Sequence, residues 1–155
     1  MPTKSLDNSN SRLLISEILR KVSNAKTKKE KVDLLTKHNS AALRQLMIIN
    51  FDESVVSEIP EGEVPYTPND APVGTDHTRL ESEYRGLFRF FKGGDPRLKS
   101  LKRETMFIQL LEGLSSEEAE LLCLVKDGRL TEKYKRITKA VVSEAFPSIK
   151  WGGRS

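Results

Sequence analysis

What this sequence lacks narrows its chemistry first. It has one cysteine, Cys123, so no disulfide can close within the chain. With only two histidines, His38 and His77, far apart in sequence, no zinc site of familiar spacing can be written. Cys123 lies in the apolar run LLCLV, where a small buried thiol is expected, and both histidines read as surface or capping residues. No apolar run approaches the roughly 20 residues of a membrane span, and the opening MPTKSLDNSNS has no hydrophobic segment to serve as a signal peptide. The expectation is a soluble protein of a reducing cytoplasm that meets no membrane. Neither a phosphate-binding P-loop nor a G-x-S-x-G elbow is present, and no cofactor or metal is called for.

What is present is charge, unevenly spread. The net charge is only +4, but residues 1–51 hold ten Lys/Arg against four Asp/Glu, residues 52–83 one against nine, and residues 84–155 fifteen against nine. Two basic segments thus flank an acidic connector, and localised charge is what a polyanion detects. At 155 residues the chain suits one domain, which at this size buries roughly 70% of the surface its unfolded form exposes. Residues 1–10 read as a flexible tail, 11–151 as a single domain and 152–155 as a C-terminal tail.

Helical patterning runs through most of that domain. Ser11 is placed to cap a helix whose stripe is Leu14, Ile18, Leu19 and Val22; Thr27 and Glu30 form a capping box ahead of Val32, Leu34 and Leu35; Ser40 opens a helix through Leu43, Leu46, Met47 and Phe51. Residues 52–78 hold four prolines and most of the excess acid, which excludes a long helix or a central strand. Val55, Val56, Ile59, Val64 and Tyr66 predict that this long loop lies down on the domain. Thr78 and Glu81 read as another capping box, ahead of a helix packing Leu80, Tyr84, Leu87, Phe88 and Phe91. Among Arg85, Arg89 and Lys92, the aromatics Phe88, Phe90 and Phe91 could stack on bases, but helical spacing assigns them to the core.

The last third reads as three short helices. Residues 103–111 stop at Gly113; Ser115 and Glu118 make an S-x-x-E box before Ala119, Leu121, Leu122 and Val125; a run of Val141, Val142, Ala145 and Phe146 follows a Thr138 cap and ends at Pro147. The predicted fold is all-α, one compact bundle of six to seven short helices with one long acidic, proline-rich loop.

Cations gather at the joints of these helices. Lys26, Lys28 and Lys29 occupy the first turn, where the helix dipole by itself disfavours them but would share an anion with them. The run RLKSLKR places Leu98 and Leu101 inward and Arg97, Lys99, Lys102 and Arg103 outward as a second candidate phosphate site. Lys135, Arg136 and Lys139 precede the last helix. Glu117, Glu118 and Glu120 sit in a first helical turn, where the macrodipole explains them without catalysis.

The pattern L-L-x-x-L-S-x-E-E-A-x-L-L, a basic loop, then x-V-V-x-x-A-F-P resembles the end of the N-terminal, all-helical DNA-binding domain of ATP-dependent DNA ligases, most closely those of large tailed phages. More weakly, ISEILRKVSNAKTKKEKVDLLTKHNSAALRQLM resembles the opening of the same domain. The whole chain is also similar to small proteins of marine cyanobacterial myoviruses, whose setting is an infected host cell. The resemblance covers one domain and no catalytic part. Lys126, Asp127, Gly128 and Arg129 come near the K-x-D-G-x-R signature of the adenylated lysine, but the Lys-to-Asp and Gly-to-Arg intervals are each short by one residue; Gly128 reads as a helix C-cap with solvent-facing neighbours. Two departures stand out: the family's Gly-bearing turn before the last helix is YKRITK here, and its Thr-Gly-Asn turn is LKSLKR.

The resemblance implies a DNA-binding protein, not an enzyme, an accessory of phage DNA replication or repair that holds duplex or nicked DNA by its backbone with little sequence preference. The expected contacts are Lys26, Lys28, Lys29, Arg97, Lys99, Lys102, Arg103, Lys135, Arg136 and Lys139, gathered on one face. The alternative is a phage structural or adaptor protein without a nucleic-acid role, its helical core descended from the same fold, that binds a protein partner through residues 52–78.

Overall fold

The computed structural model describes residues 13–71 and 77–154. Within them run seven α-helices: α1 Ile15–Asn24, α2 Lys28–Lys37, α3 Ala41–Phe51, α4 Leu80–Glu83, α5 Ser100–Gly113, α6 Ser116–Lys126 and α7 Lys139–Ala145. Two 3₁₀ helices, Tyr84–Phe90 and Leu130–Glu132, complete the set. Among the described residues no strand forms; Ser57 with Phe91 and Thr78 with Leu114 make isolated bridges. The fold is the all-α bundle that the periodicity predicts.

Local signals set most helix starts. Thr27 and Glu30 close their box at 3.1 Å in both directions, Ser40 accepts the Leu43 N–H at 3.0 Å, and Thr138 that of Val141 at 3.3 Å. At α1 the Glu17 carboxylate accepts the Leu14 N–H at 2.8 Å; the predicted Ser11 cap lies outside the described residues. Gly128, at φ +71°, ends α6 in a Schellman turn: Arg129 N–H donates to Leu124 O at 2.8 Å and Gly128 N–H to Val125 O at 3.0 Å. Helix α6 is the hub, packed on α1, α3 and α5, while α2 lies between α1 and α7. Leu19, Leu35, Leu46, Phe107, Leu121 and Phe146 are fully buried in one continuous core. In such an all-helical core, apolar burial rather than helix propensity supplies the stability.

Several local expectations are corrected. The Ser115 hydroxyl does accept the Glu118 N–H, at 3.3 Å, but the Glu118 carboxylate does not complete a box. It is buried and accepts the N–H of Ile15 and that of Leu80, each at 3.0 Å, so one carboxylate holds the first turns of α1 and α4. Thr78 caps nothing: its N–H donates to Gly113 O at 2.8 Å and its hydroxyl to Glu83 at 2.5 Å.

After α4 the chain tightens to a 3₁₀ helix, where residues three apart eclipse. Leu87 and Phe90 therefore share the buried side, Phe90 meeting Phe107 edge-on at 5.0 Å, and Phe88 turns outward at 46% exposure. In α5 the buried stripe is Arg103, Phe107 and Leu111. Leu101 lies two residues, about 200°, from Arg103 and is 77% exposed instead of inward.

The acidic stretch is a docked wrap over residues 52–71. Ile59 enters the core, and Val55, Val64 and Tyr66 pack against it, whereas Val56 stays exposed. Lys126, buried rather than solvent-facing, donates to Pro60 O at 3.0 Å and pairs with Asp127 at 2.6 Å; the other Asp127 oxygen accepts the Gly62 N–H at 3.0 Å. The K-D-G-R run is thus a clasp for the wrap. At the end of α3, buried Asp52 accepts from Ser54, from Gly152 N–H at 2.8 Å and from Arg154 at 2.6 Å, which ties residues 152–154 to the body.

Candidate functional site

Two of the three basic turns meet. The Ser23 hydroxyl, near the end of α1, donates to Lys135 O at 2.9 Å, and Lys28 at the start of α2 pairs with Glu144 of α7 at 3.1 Å. Sequence positions more than a hundred residues apart therefore share one surface, called here the joint face. Lys26, Lys28, Lys29, Lys135, Arg136 and Lys139 are all exposed on it. Lys28 and Lys29 have acid partners, Glu144 and Asp33. Lys26, Lys135, Arg136 and Lys139 form no ion pair among the described residues. Lys139 instead lies over the Trp151 ring, 5.0 Å from its centroid.

His38, the C-cap of α2, is held below its ordinary value by burial and by the charges of Lys37 and Lys21. Lys21 and Lys26 also line an open depression with Asn24, Glu30, Asp33 and Leu34. Lys31 is not part of this surface charge: it is buried and caps the Ala25 carbonyl at the end of α1.

Arg136 has an unusual backbone. Its φ is +66°, the one left-handed non-glycine among the described residues. An L side chain there costs roughly 1–2 kcal/mol that glycine would not incur. The turn leads into the Thr138 cap of α7, and its arginine forms no ion pair among the described residues.

The third basic turn lies on other elements, and its contacts run to the wrap and to the 3₁₀ helix rather than to the joint face. Arg97, Lys99 and Lys102 are exposed and without acid partners among the described residues. Arg103 is corrected: it is 6% exposed and faces inward. Its Nε donates to Arg89 O at 2.9 Å, its Nη2 to Leu98 O at 2.8 Å and Asp95 O at 3.2 Å, and Glu58 lies 3.4 Å away. A guanidinium satisfied in this way brackets the backbone and cannot meet a phosphate.

Beside this bracket, Phe88 carries the Arg89 guanidinium over its ring at 5.4 Å and lines a depression with Ile49, Val55, Lys92 and Gly94.

Burial works against ionising two side chains that could otherwise act as nucleophiles, Cys123 and Tyr134. Cys123 is half-buried, its thiol pushed up to about 11 by burial. Burial likewise pushes the Tyr134 phenol up to about 12. No group of three His, Cys, Asp or Glu among the described residues could hold a metal ion, and no helix there is long and apolar enough to cross a membrane. Two of the wrap's acids already pair with cations of the body, Glu58 with the buried Arg103 and, at the surface, Glu61 with Arg129 at 3.0 Å.

A family model described as a family of unknown function, DUF6433, matches residues 18–132. No curated protein and no solved structure matches the chain.

Proposed function

We propose that this chain, which belongs to the family of unknown function DUF6433, is a non-catalytic DNA-binding protein that grips backbone phosphates of duplex or nicked DNA through the joint face. The observation that carries this reading is Arg136: an exposed arginine, without an ion pair among the described residues, kept in a left-handed turn where glycine would be more stable. A residue that costs stability where the fold does not need its side chain points to a role in binding. Lys26, Lys135 and Lys139 around it supply the further charge that a duplex backbone attracts, without reading base edges. A role in phage replication or repair, and kinship with the ligase domain, rest on the sequence resemblance.

The test is binding of a short duplex over a range of salt. Four phosphate contacts from Lys26, Lys135, Arg136 and Lys139 give a slope of log affinity against log salt of roughly −3.6. Arg136→Gly is expected to reduce that slope by about 0.9 while raising stability by about 1 kcal/mol. Wild-type protein that ignores duplex DNA at low salt, or an Arg136→Gly variant that binds as wild type, would leave the adaptor reading through the acidic wrap as the survivor.

A further inference from the structure

We infer that the depression beside Phe88 is a site for an unpaired base, so that the protein also holds a single-stranded segment of nucleic acid on a second face. This rests on nucleic acid being the ligand class, as proposed above, but uses none of the joint-face residues. Phe88 is the only phenylalanine of the aromatic run that the core does not take: Phe90 and Phe91 are 3% and 8% exposed, Phe88 46%. Its ring and the side chains of Ile49, Val55 and Phe91 give the depression an apolar lining, with Gln45, Lys92 and Arg154 as its polar side chains. An exposed aromatic face is costly to leave in water and fits the flat face of a base. Arg89 over the ring adds a planar cation of the kind that accompanies base stacking.

Charge decides the occupant. Arg85, Arg89, Lys92, Arg97, Lys99 and Lys102 are six cations within eighteen residues, and among the described residues none of them forms an ion pair. An apolar peptide would leave these charges unmatched, whereas a single strand offers bases for the ring and phosphates for the cations together. The bracket from Arg103 explains how the two parts are held in register. By donating to Arg89 O on one side and to Asp95 O and Leu98 O on the other, it fixes the stacking segment against the cation-bearing turn. Gly94 permits the tight return: a Cβ there would lie 1.9 Å from Phe88 O. Arg103 and Gly94 are positioning residues, and Phe88 is the contact.

The experiment is fluorescence anisotropy with a labelled oligothymidylate and, separately, a labelled duplex of the same length, using wild type, Phe88→Ala, Phe88→Trp and the joint-face variant Arg136→Gly. Stacking of one base predicts that Phe88→Ala loses about tenfold or more in affinity for the single strand, keeps duplex affinity, and stays folded with only a small drop in melting temperature, because the residue is already 46% exposed. Phe88→Trp is expected to restore single-strand binding. Phe88→Ala binding the oligothymidylate as wild type would overturn the inference while leaving the duplex reading untouched. Phe88-dependent binding of the single strand, with duplex binding absent in the wild type, would sink the joint-face proposal and support this one. Wild type that binds neither form overturns both.

Discussion

Glu118→Ala should be among the most damaging single substitutions in this protein, although the residue sits in an ordinary-looking first helical turn. Its carboxylate is the acceptor for two N–H groups that start other helices, Ile15 of α1 and Leu80 of α4, each at 3.0 Å. Truncation leaves both donors dry and unpaired at roughly 1–3 kcal/mol each. Part of that loss is offset, because a buried carboxylate itself is disfavoured. Burial raises the Glu118 carboxyl above its ordinary value, opposed in part by the N–H groups of Leu80 and Ile15 and by the charge of Arg79.

A net cost of about 3 kcal/mol follows, which for a chain of this length lowers the melting temperature by about 6–12 °C. Ser115→Ala, which removes only the hydroxyl accepting Glu118 N–H, is the control at about 1 kcal/mol. Glu118→Gln should fall between them, since the amide keeps one acceptor and turns a donor toward the other N–H. The pH dependence has a definite sign. A carboxyl raised in the fold binds its proton more tightly there than in the unfolded chain, so its contribution falls as pH rises from 4.5 through the raised value. The advantage of wild type over Glu118→Gln is therefore expected to be largest in acid and to narrow toward neutrality. Urea melts followed by circular dichroism at several pH values measure both quantities; a Glu118→Ala variant melting with wild type would refute the clamp.

Arg103→Lys, conservative in charge, should cost about 2–4 kcal/mol, because a single ammonium cannot serve the carbonyls of Arg89, Asp95 and Leu98 that the guanidinium fork spans. Thermal melts indistinguishable from wild type would show that the bracket carries no stability. Asp52 has the opposite linkage to Glu118: burial by itself would raise it, but the Ser54 hydroxyl, the N–H groups of Gly152 and Ser54, and Arg154 outweigh burial and hold it well below the usual carboxylate range. Its stabilisation is thus present above the unfolded value of 3.8 and lost as pH falls toward the depressed one. Asp52→Asn should cost about 2 kcal/mol at neutral pH, flatten the acid limb of the stability curve and speed tryptic cutting after Lys150; parallel acid limbs would contradict this.

The sequence by itself determined the helical class, most of the helix starts and stops, and the docking of the acidic wrap. These follow from short-range physics: Thr27, Ser40, Ser115 and Thr138 satisfy N–H groups three residues away, Gly128 and Pro147 stop helices by their own backbone limits, and Ile59 needs only an apolar surface to enter. Spacing went astray where the backbone changed its period. At residues 84–90 the tightening from 3.6 to about 3 residues per turn moved Phe88 from the core to the surface, and in α5 the stripe that fills the core begins with an arginine.

Tertiary structure alone decided the long polar side chains. Glu118, Arg103 and Lys126 lie on buried positions, and their partners, Ile15 and Leu80, Arg89 and Pro60, come from segments that no local spacing announces. A charged head on a flexible stem can be exposed or buried with equal local merit, and the choice depends on whether unpaired backbone groups from another part of the chain arrive beside it. The same holds for the candidate interface. Lys26 and Arg136 are cations on turns in the sequence; the contact of Ser23 with Lys135 brings those two turns together, and the left-handed turn makes Arg136 a residue whose side chain the fold does not require.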